Sequence, residues 1–191
     1  MRIIGEHRWD VKEEGHTNAR QENPPQRRRC WDWMIVSGDC HYARDRSAFK
    51  TYRHVGKAVK NTIAPELDLF VAGIGTVELR VRTGDEDGSP DGVLVLENVL
   101  HVPNAICNGF SWVVYDGMNG GFTHTGLETR GFDRDGRPLW CGQPFVGLEK
   151  LVLAGNPQGV SNLRDGGHFM LSIYVTNDDL RIIQAAACES E

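Results

Sequence analysis

The fold of this chain is predicted first from WMIVSGDCHYARDRSAF, residues 33–49. It opens with apolar residues of strand character, and the strand breaks at Gly38. The segment that follows predicts a short turn or helix capped by Asp45, with Phe49 and Tyr52, spaced three apart, facing inward. The stretch therefore predicts a buried strand, a tight turn and a short helical connection.

Further strands are predicted along the rest of the chain. VELRVRT, residues 77–83, alternates apolar and polar side chains, which is typical of a strand with one buried face. Hairpin turns are predicted at GDEDGSPDG and at Asp135-Gly136. The other predicted strands are KAVKNTIA, two within PELDLFVAGIGTVELRVRT, GVLVLENVLHVP, WVVY, LEKLVLAG and HFMLSIYV. Many short strands with little helix indicate an all-β barrel.

The predicted organisation has three parts. Residues 1–29 are polar, contain two prolines and end in three arginines, so they are expected to form a flexible lead-in. Residues 30–112 form the predicted barrel domain. Residues 113–191 form a β-rich extension that ends in a helix, NDDLRIIQAAA, with Asn177 as its N-cap.

Composition excludes several classes of function. The net charge of −5 and the pI near 5.8 argue against an extended nucleic-acid surface. No apolar run reaches membrane-spanning length, and the N-terminus lacks a secretory h-region, so no membrane partner is expected. Five scattered cysteines predict free thiols in the cytoplasm. The histidines lack helical ligand spacing, so we predict neither a metal site nor a cofactor.

Three blocks in order carry a family resemblance. They are residues 33–49, VAGIGTVEL at 71–79 and LENVLHVPNAICN at 96–108. Because the three blocks occur in this order, the chain resembles the aspartic-protease domain of Copia-type retrotransposons. It is similar above all to fungal host-encoded proteins derived from such elements. The matching positions in the first block are Trp33, Ser37, Gly38, His41, Asp45, Arg46 and Phe49.

The resemblance implies a retropepsin-like closed β-barrel whose catalytic turn reads Asp-Ser-Gly. Here Val36, Ser37 and Gly38 occupy that turn, so the position of the catalytic aspartate holds a valine. Such enzymes pair two carboxylates across a symmetric dimer, which makes a homodimer an expected assembly. The alternative is a monomer in which residues 113–191 cover the edge that would otherwise form the dimer. The sequence leaves both alternatives open.

The candidate catalytic residues are Asp39, Cys40, His41 and Tyr42, which follow the turn directly. Asp39 is the nearest substitute carboxylate, Cys40 and His41 suggest a thiol–imidazole pair, and Tyr42 is a proton donor. Each also has a structural interpretation: neighbouring side chains on a strand point to opposite faces, and the family's histidine is expected to bond the loops.

The candidate ligand-binding residues are Trp33, Trp112 and His101. Tryptophans that the barrel brings together would line an apolar pocket, although tryptophans in such a chain are more often core residues. Two functions from different classes therefore compete. The first is a non-proteolytic binder of a small apolar ligand or a peptide in the ancestral cleft. The second is a cyclase- or isomerase-type enzyme of secondary metabolism, and a residual aspartic peptidase is a further alternative.

Overall fold

A computed structural model describes residues 28–84, 86, 88–125 and 128–188. The predicted lead-in lies almost wholly outside these residues. These described residues form ten strands and two α-helices, together with a 3₁₀ turn at Arg46–Ala48. The strands are β1 Trp33–Val36, β2 Tyr42–Ala43, β3 Phe49–Asn61, β4 Ala64–Arg82, β5 Asp91–His101, β6 Asn108–Ser111, β7 Phe122–His124, β8 Thr129–Phe132, β9 Pro138–Phe145 and β10 Leu148–Leu151; the helices are α1 Trp112–Asn119 and α2 Asn177–Cys188.

The strands form one sheet in the order β3-β4-β5-β2-β6-β1-β10-β9-β8-β7. The all-β prediction is therefore confirmed, but the predicted closed barrel is not, because within the described residues β3 and β7 are unpaired sheet edges. The sheet nevertheless curls, since an isolated antiparallel bridge joins Val81 of β4 to Leu153, beyond β10.

Strand β1 lies at the centre and is buried on both faces. Trp33 packs into one core cluster, with Phe110 and Trp140, whereas Met34 and Val36 pack into the other. This follows from the period-two geometry of a strand, in which successive side chains point to opposite faces. A strand buried on both faces needs a continuous apolar run, and this is what the quoted sequence supplies.

Several local predictions are confirmed. Residues Val77, Leu79 and Val81 are buried while the residues between them are less so, as the alternation predicts. The hairpin at Asp135-Gly136 joins β8 to β9. The helix at the C-terminus is α2.

Other local predictions are wrong. The run WVVY begins helix α1, because Ser111 caps it by accepting a hydrogen bond from the backbone N–H of Val114. The stretch predicted to hold two strands is the single strand β4. Residues 168–175 are extended but form no strand. Asp45 occupies the N-cap position of the 3₁₀ turn as predicted, but its side chain makes no capping bond, because the carboxylate accepts from the backbone N–H of Cys30.

The N-cap of α2 also differs from the prediction. Asn177 is the first helical residue, and Thr176 occupies the cap. The Thr176 hydroxyl accepts from the backbone N–H of Asp179 at 3.0 Å, and the Thr176 carbonyl accepts from Leu180 N–H at 2.9 Å. These are the two bonds that an N-cap residue makes.

The cap assignment is testable by paired substitutions. We expect Thr176→Ala to lower the free energy of unfolding by about 1 kcal/mol, because the N–H of Asp179 loses its acceptor. Asn177→Ala, one residue on, should cost less than half as much. Urea denaturation of both variants measures the difference, and a larger loss for Asn177→Ala would refute the assignment.

Candidate functional site

The turn after β1 is fixed by the end of β6. The two strands pair in parallel, with Val36 opposite Ser111. The Ser111 hydroxyl donates to the Gly38 carbonyl, and the Ser111 backbone N–H donates to His41 Nδ1 at 3.0 Å. Val36 itself is only 5% exposed and belongs to the core. One buried serine therefore holds the turn, its histidine and the start of α1 together.

Residues 169–175, which we call the cover segment, lie against this turn. The Asp39 backbone N–H donates to the Ile173 carbonyl at 3.1 Å. A Cβ atom on Gly38 would stand 2.8 Å from the backbone nitrogen of Ile173 and closer still to its carbonyl oxygen. Only glycine permits this approach, so Gly38 serves the contact between the turn and the cover segment.

The opposite side of the cover segment contacts the turn between β3 and β4. Thr62 N–H donates to the Tyr174 carbonyl at 2.9 Å, and Tyr174 N–H donates to Asn61 Oδ1 at 3.3 Å. The Asn61 side-chain amide also donates to the Ser172 carbonyl at 3.4 Å. The cover segment is thus an extended chain held between two turns by main-chain hydrogen bonds.

Asp39 binds the cover segment through its carboxylate. Both oxygens accept from the backbone N–H of Val175, each at 3.0 Å. Burial raises the pKa of the Asp39 carboxyl group, while the Val175 hydrogen bond acts in the opposite sense. The carboxylate therefore has a structural partner at the position where a substitute catalytic acid was predicted.

Cys40 and Tyr42 make contacts of the same kind. The Cys40 thiol donates to the Ile173 carbonyl at 3.7 Å, and the Tyr42 hydroxyl donates to the Leu171 carbonyl at 2.7 Å. Burial raises the pKa of both groups. A thiol with a raised pKa holds little thiolate at neutral pH, and the thiolate is the nucleophilic form.

His41 contacts different residues from those that Cys40 contacts. It is 3% exposed, its ring stacks on Phe110, and Nδ1 accepts from Ser111. Burial lowers the pKa of His41 to about 4. The imidazole is therefore neutral at physiological pH, with its proton on Nε2, and its observed contacts are those of a residue that holds the loops.

An open cavity remains beside the turn. Its volume is about 420 Å³. Three hydroxyl groups meet at its polar side: Ser37 Oγ lies 3.2 Å from Ser172 Oγ and 3.1 Å from the Tyr174 hydroxyl. The remaining walls are apolar and come from Ile35, Val36, Ile63, Trp112, Leu148, Phe169, Met170 and Leu171. We call this space the turn cavity.

The predicted ligand-binding residues are not brought together. Trp112 lines the turn cavity and packs on Phe122, with ring centroids 4.6 Å apart. Trp33 is fully buried in the core. His101 accepts or donates a hydrogen bond with the Tyr52 hydroxyl through Nδ1, at 2.9 Å, away from the residues that line the cavity.

Sequence reasoning missed the cover-segment side of the cavity. Ser172 and Tyr174 supply two of its three hydroxyls, and Met170, which is 50% exposed, lies at its rim. The sequence predicted a strand over HFMLSIYV, residues 168–175, and the structure shows no strand there. The sequence pattern carried no information about which part of the chain this segment would cover.

Among the residues that the structure describes, no group of three or more His, Cys, Asp or Glu side chains is arranged to hold a metal ion. In the same part of the chain no helix is both long and apolar enough to span a bilayer.

The titration of His41 is testable through stability. Its pKa is lowered on folding from 6.5 to about 4, so the unfolded chain binds a proton that the folded chain rejects between these values. Folding is favoured by neutral His41, and this contribution to the free energy of unfolding is fully present above pH 6.5. As the pH falls toward 4, about 3 kcal/mol of the free energy of unfolding is lost.

We expect His41→Asn, which keeps an acceptor for Ser111 but does not titrate, to lose less stability than the parent protein over this pH range. His168→Asn, at an exposed position, is the matched control and should leave the pH dependence unchanged. Urea denaturation at a series of pH values measures the difference. Parallel curves for the parent protein and His41→Asn would contradict the assignment.

Comparison with known proteins gives one match. Residues 33–118 match the family described as Pol polyprotein, beta-barrel domain. No curated protein matches the chain, and no solved structure matches it. The matched residues run from β1 into α1 and include the whole turn and its supporting serine. This part of the chain is therefore similar to the β-barrel domain of Pol polyproteins.

Proposed function

We propose that this protein is a non-proteolytic binding protein that holds a small apolar ligand in the turn cavity. The observation that carries the proposal is the cavity itself, with apolar walls and three converging hydroxyls beside Ser37. Small-molecule sites typically combine such apolar walls with a few placed polar groups that orient the ligand.

The lack of a catalytic carboxylate argues against proteolysis. The resemblance to Copia-type proteases places Val36 at the position of the catalytic aspartate, and a valine side chain neither binds a proton nor orients water. Asp39 does not replace it, since its carboxylate is engaged by the Val175 N–H. On the same resemblance, we propose a Copia-type origin and a relationship to the fungal host-encoded group.

The cover segment favours a small ligand over a peptide. An extended peptide bound at the turn would have to form hydrogen bonds with Asp39. Residues 171–175 already use the Asp39 backbone N–H and the Asp39 carboxylate. A compact ligand needs only the remaining space of about 420 Å³. The cavity is complete within one chain, so the proposed binding requires no second copy.

Cellular location is part of the same proposal. Cys30, Cys40 and Cys107 are free and buried. Burial raises the pKa of Cys107 to about 12, which protects the thiol from oxidation. Free thiols of this kind support a reducing compartment such as the cytoplasm.

Camphor and its parent hydrocarbon bornane test the proposal, because they have the same apolar cage and differ by one carbonyl oxygen. We expect both to shift the NMR signal of the Trp112 indole N–H saturably. Camphor should bind more tightly, because the Tyr174 hydroxyl donates to its carbonyl.

Tyr174→Phe should weaken camphor binding about fivefold, because one hydrogen bond contributes about 1 kcal/mol to the binding free energy. The same substitution should leave bornane binding unchanged. Tyr52→Phe removes a hydroxyl outside the cavity and serves as the matched control. The proposal fails if neither compound gives a saturable shift of Trp112 in the folded parent protein.

A further inference from the structure

A second cavity lies at the other end of β1. Its volume is about 660 Å³, and it shares no lining residue with the turn cavity. Asp32, the residue before β1, forms part of its floor, and residues 155–161 form one side. We call it the Asp32 cavity. Strand β1 therefore separates two cavities that differ in chemistry.

The central polar group of this cavity is an incompletely bonded carboxylate. Asp32 is 7% exposed, and its Oδ1 accepts from the Lys150 ammonium group at 3.3 Å. Among the residues that the structure describes, its other oxygen, Oδ2, is buried and has no hydrogen-bond partner. A buried acceptor without a donor costs about 1–3 kcal/mol, so native proteins rarely retain one.

Both partners of this ion pair are held in place. The Asp32 carbonyl accepts from the backbone N–H of Asn108 at 2.9 Å and from its side-chain amide at 3.3 Å. Lys150 is paired with Met34 across β1 and β10, and its ammonium group lies 3.8 Å from the centroid of the Phe145 ring. The cavity thus has an acceptor and a donor side by side, on backbone that the sheet holds in place.

Two aromatic rings line the cavity. The Trp31 ring is fixed by the Arg29 guanidinium, 3.8 Å from the ring centroid, and by Gly159, where a Cβ would stand 2.6 Å from the indole. The Phe145 ring lies beside Lys150. A second cation, Arg82, also lines the cavity, and its guanidinium donates to the Glu86 carbonyl. The apolar lining comes from Leu151, Val152, Leu153, Pro157 and Val160, and amide side chains come from Gln143, Asn156 and Gln158.

We infer that the Asp32 cavity binds a small, uncharged, planar molecule with an amide or lactam edge. The N–H of such an edge donates to Asp32 Oδ2, and its carbonyl accepts from Lys150. A carboxylate ligand lacks the N–H that Asp32 Oδ2 requires, and an ammonium ligand would face Lys150 and Arg82, so neither makes both hydrogen bonds. Lys150 is the more exposed partner, with one fifth of its side chain accessible, and it is the group that shifts to admit the ligand.

Benzamide, benzoate and benzylamine share one ring and test the ligand class on the intact chain. We expect benzamide to shift the NMR signals of the Trp31 indole and the Phe145 ring saturably, and not that of Trp112. Benzoate and benzylamine should bind roughly tenfold more weakly, since neither makes both hydrogen bonds. Absence of a saturable benzamide shift, or equal binding of a charged analogue, overturns the inference.

Substitutions locate the site independently. Asp32→Asn and Lys150→Gln should each weaken benzamide binding roughly tenfold. Asp135→Asn is the matched control, because Asp135 forms an exposed ion pair with Arg137 at 3.4 Å and lies outside the cavity. Retained benzamide affinity in folded Lys150→Gln overturns the inference even if Asp32→Asn does not fold.

Discussion

The close approach of Ile173 to Gly38 is the contact on which the rest of the site depends. Because residue 38 has no side chain, the backbone of the cover segment reaches the turn and accepts a hydrogen bond from Asp39. Once the segment lies there, the Cys40 thiol and the Tyr42 hydroxyl find carbonyl partners on it. A glycine that the family resemblance assigns to a catalytic turn thereby serves packing in this chain.

This arrangement changes the chemistry of the region. The acid, thiol and phenol that follow the turn are each bonded to the main chain of the cover segment, and burial raises the pKa of all three. Groups arranged in this way stabilise a fold, whereas general acid–base work requires a group within reach of substrate and a pKa near the working pH. What remains open to solvent is a set of hydroxyls beside apolar walls, which is suited to recognition.

The sequence predicted the local features that depend on local patterns. The alternation of VELRVRT, the hairpin at Asp135-Gly136 and the strand before Gly38 are all present. WVVY was misassigned because a four-residue apolar run does not distinguish strand from helix, and the capping role of Ser111 became clear only from its contact with Val114. The position of the cover segment could not be predicted, since it depends on contacts between residues more than 130 positions apart along the chain.

Hydrogen exchange of the backbone amides at the cover segment is the most informative measurement on this structure. Residues 171–175 are held between the two turns through the N–H groups of Asp39, Thr62, Tyr174 and Val175. We expect these four amides to exchange as slowly as amides within β1 and β6, because they open only with the core. Exchange at the rate of an unstructured chain would show that the segment does not cover the turn.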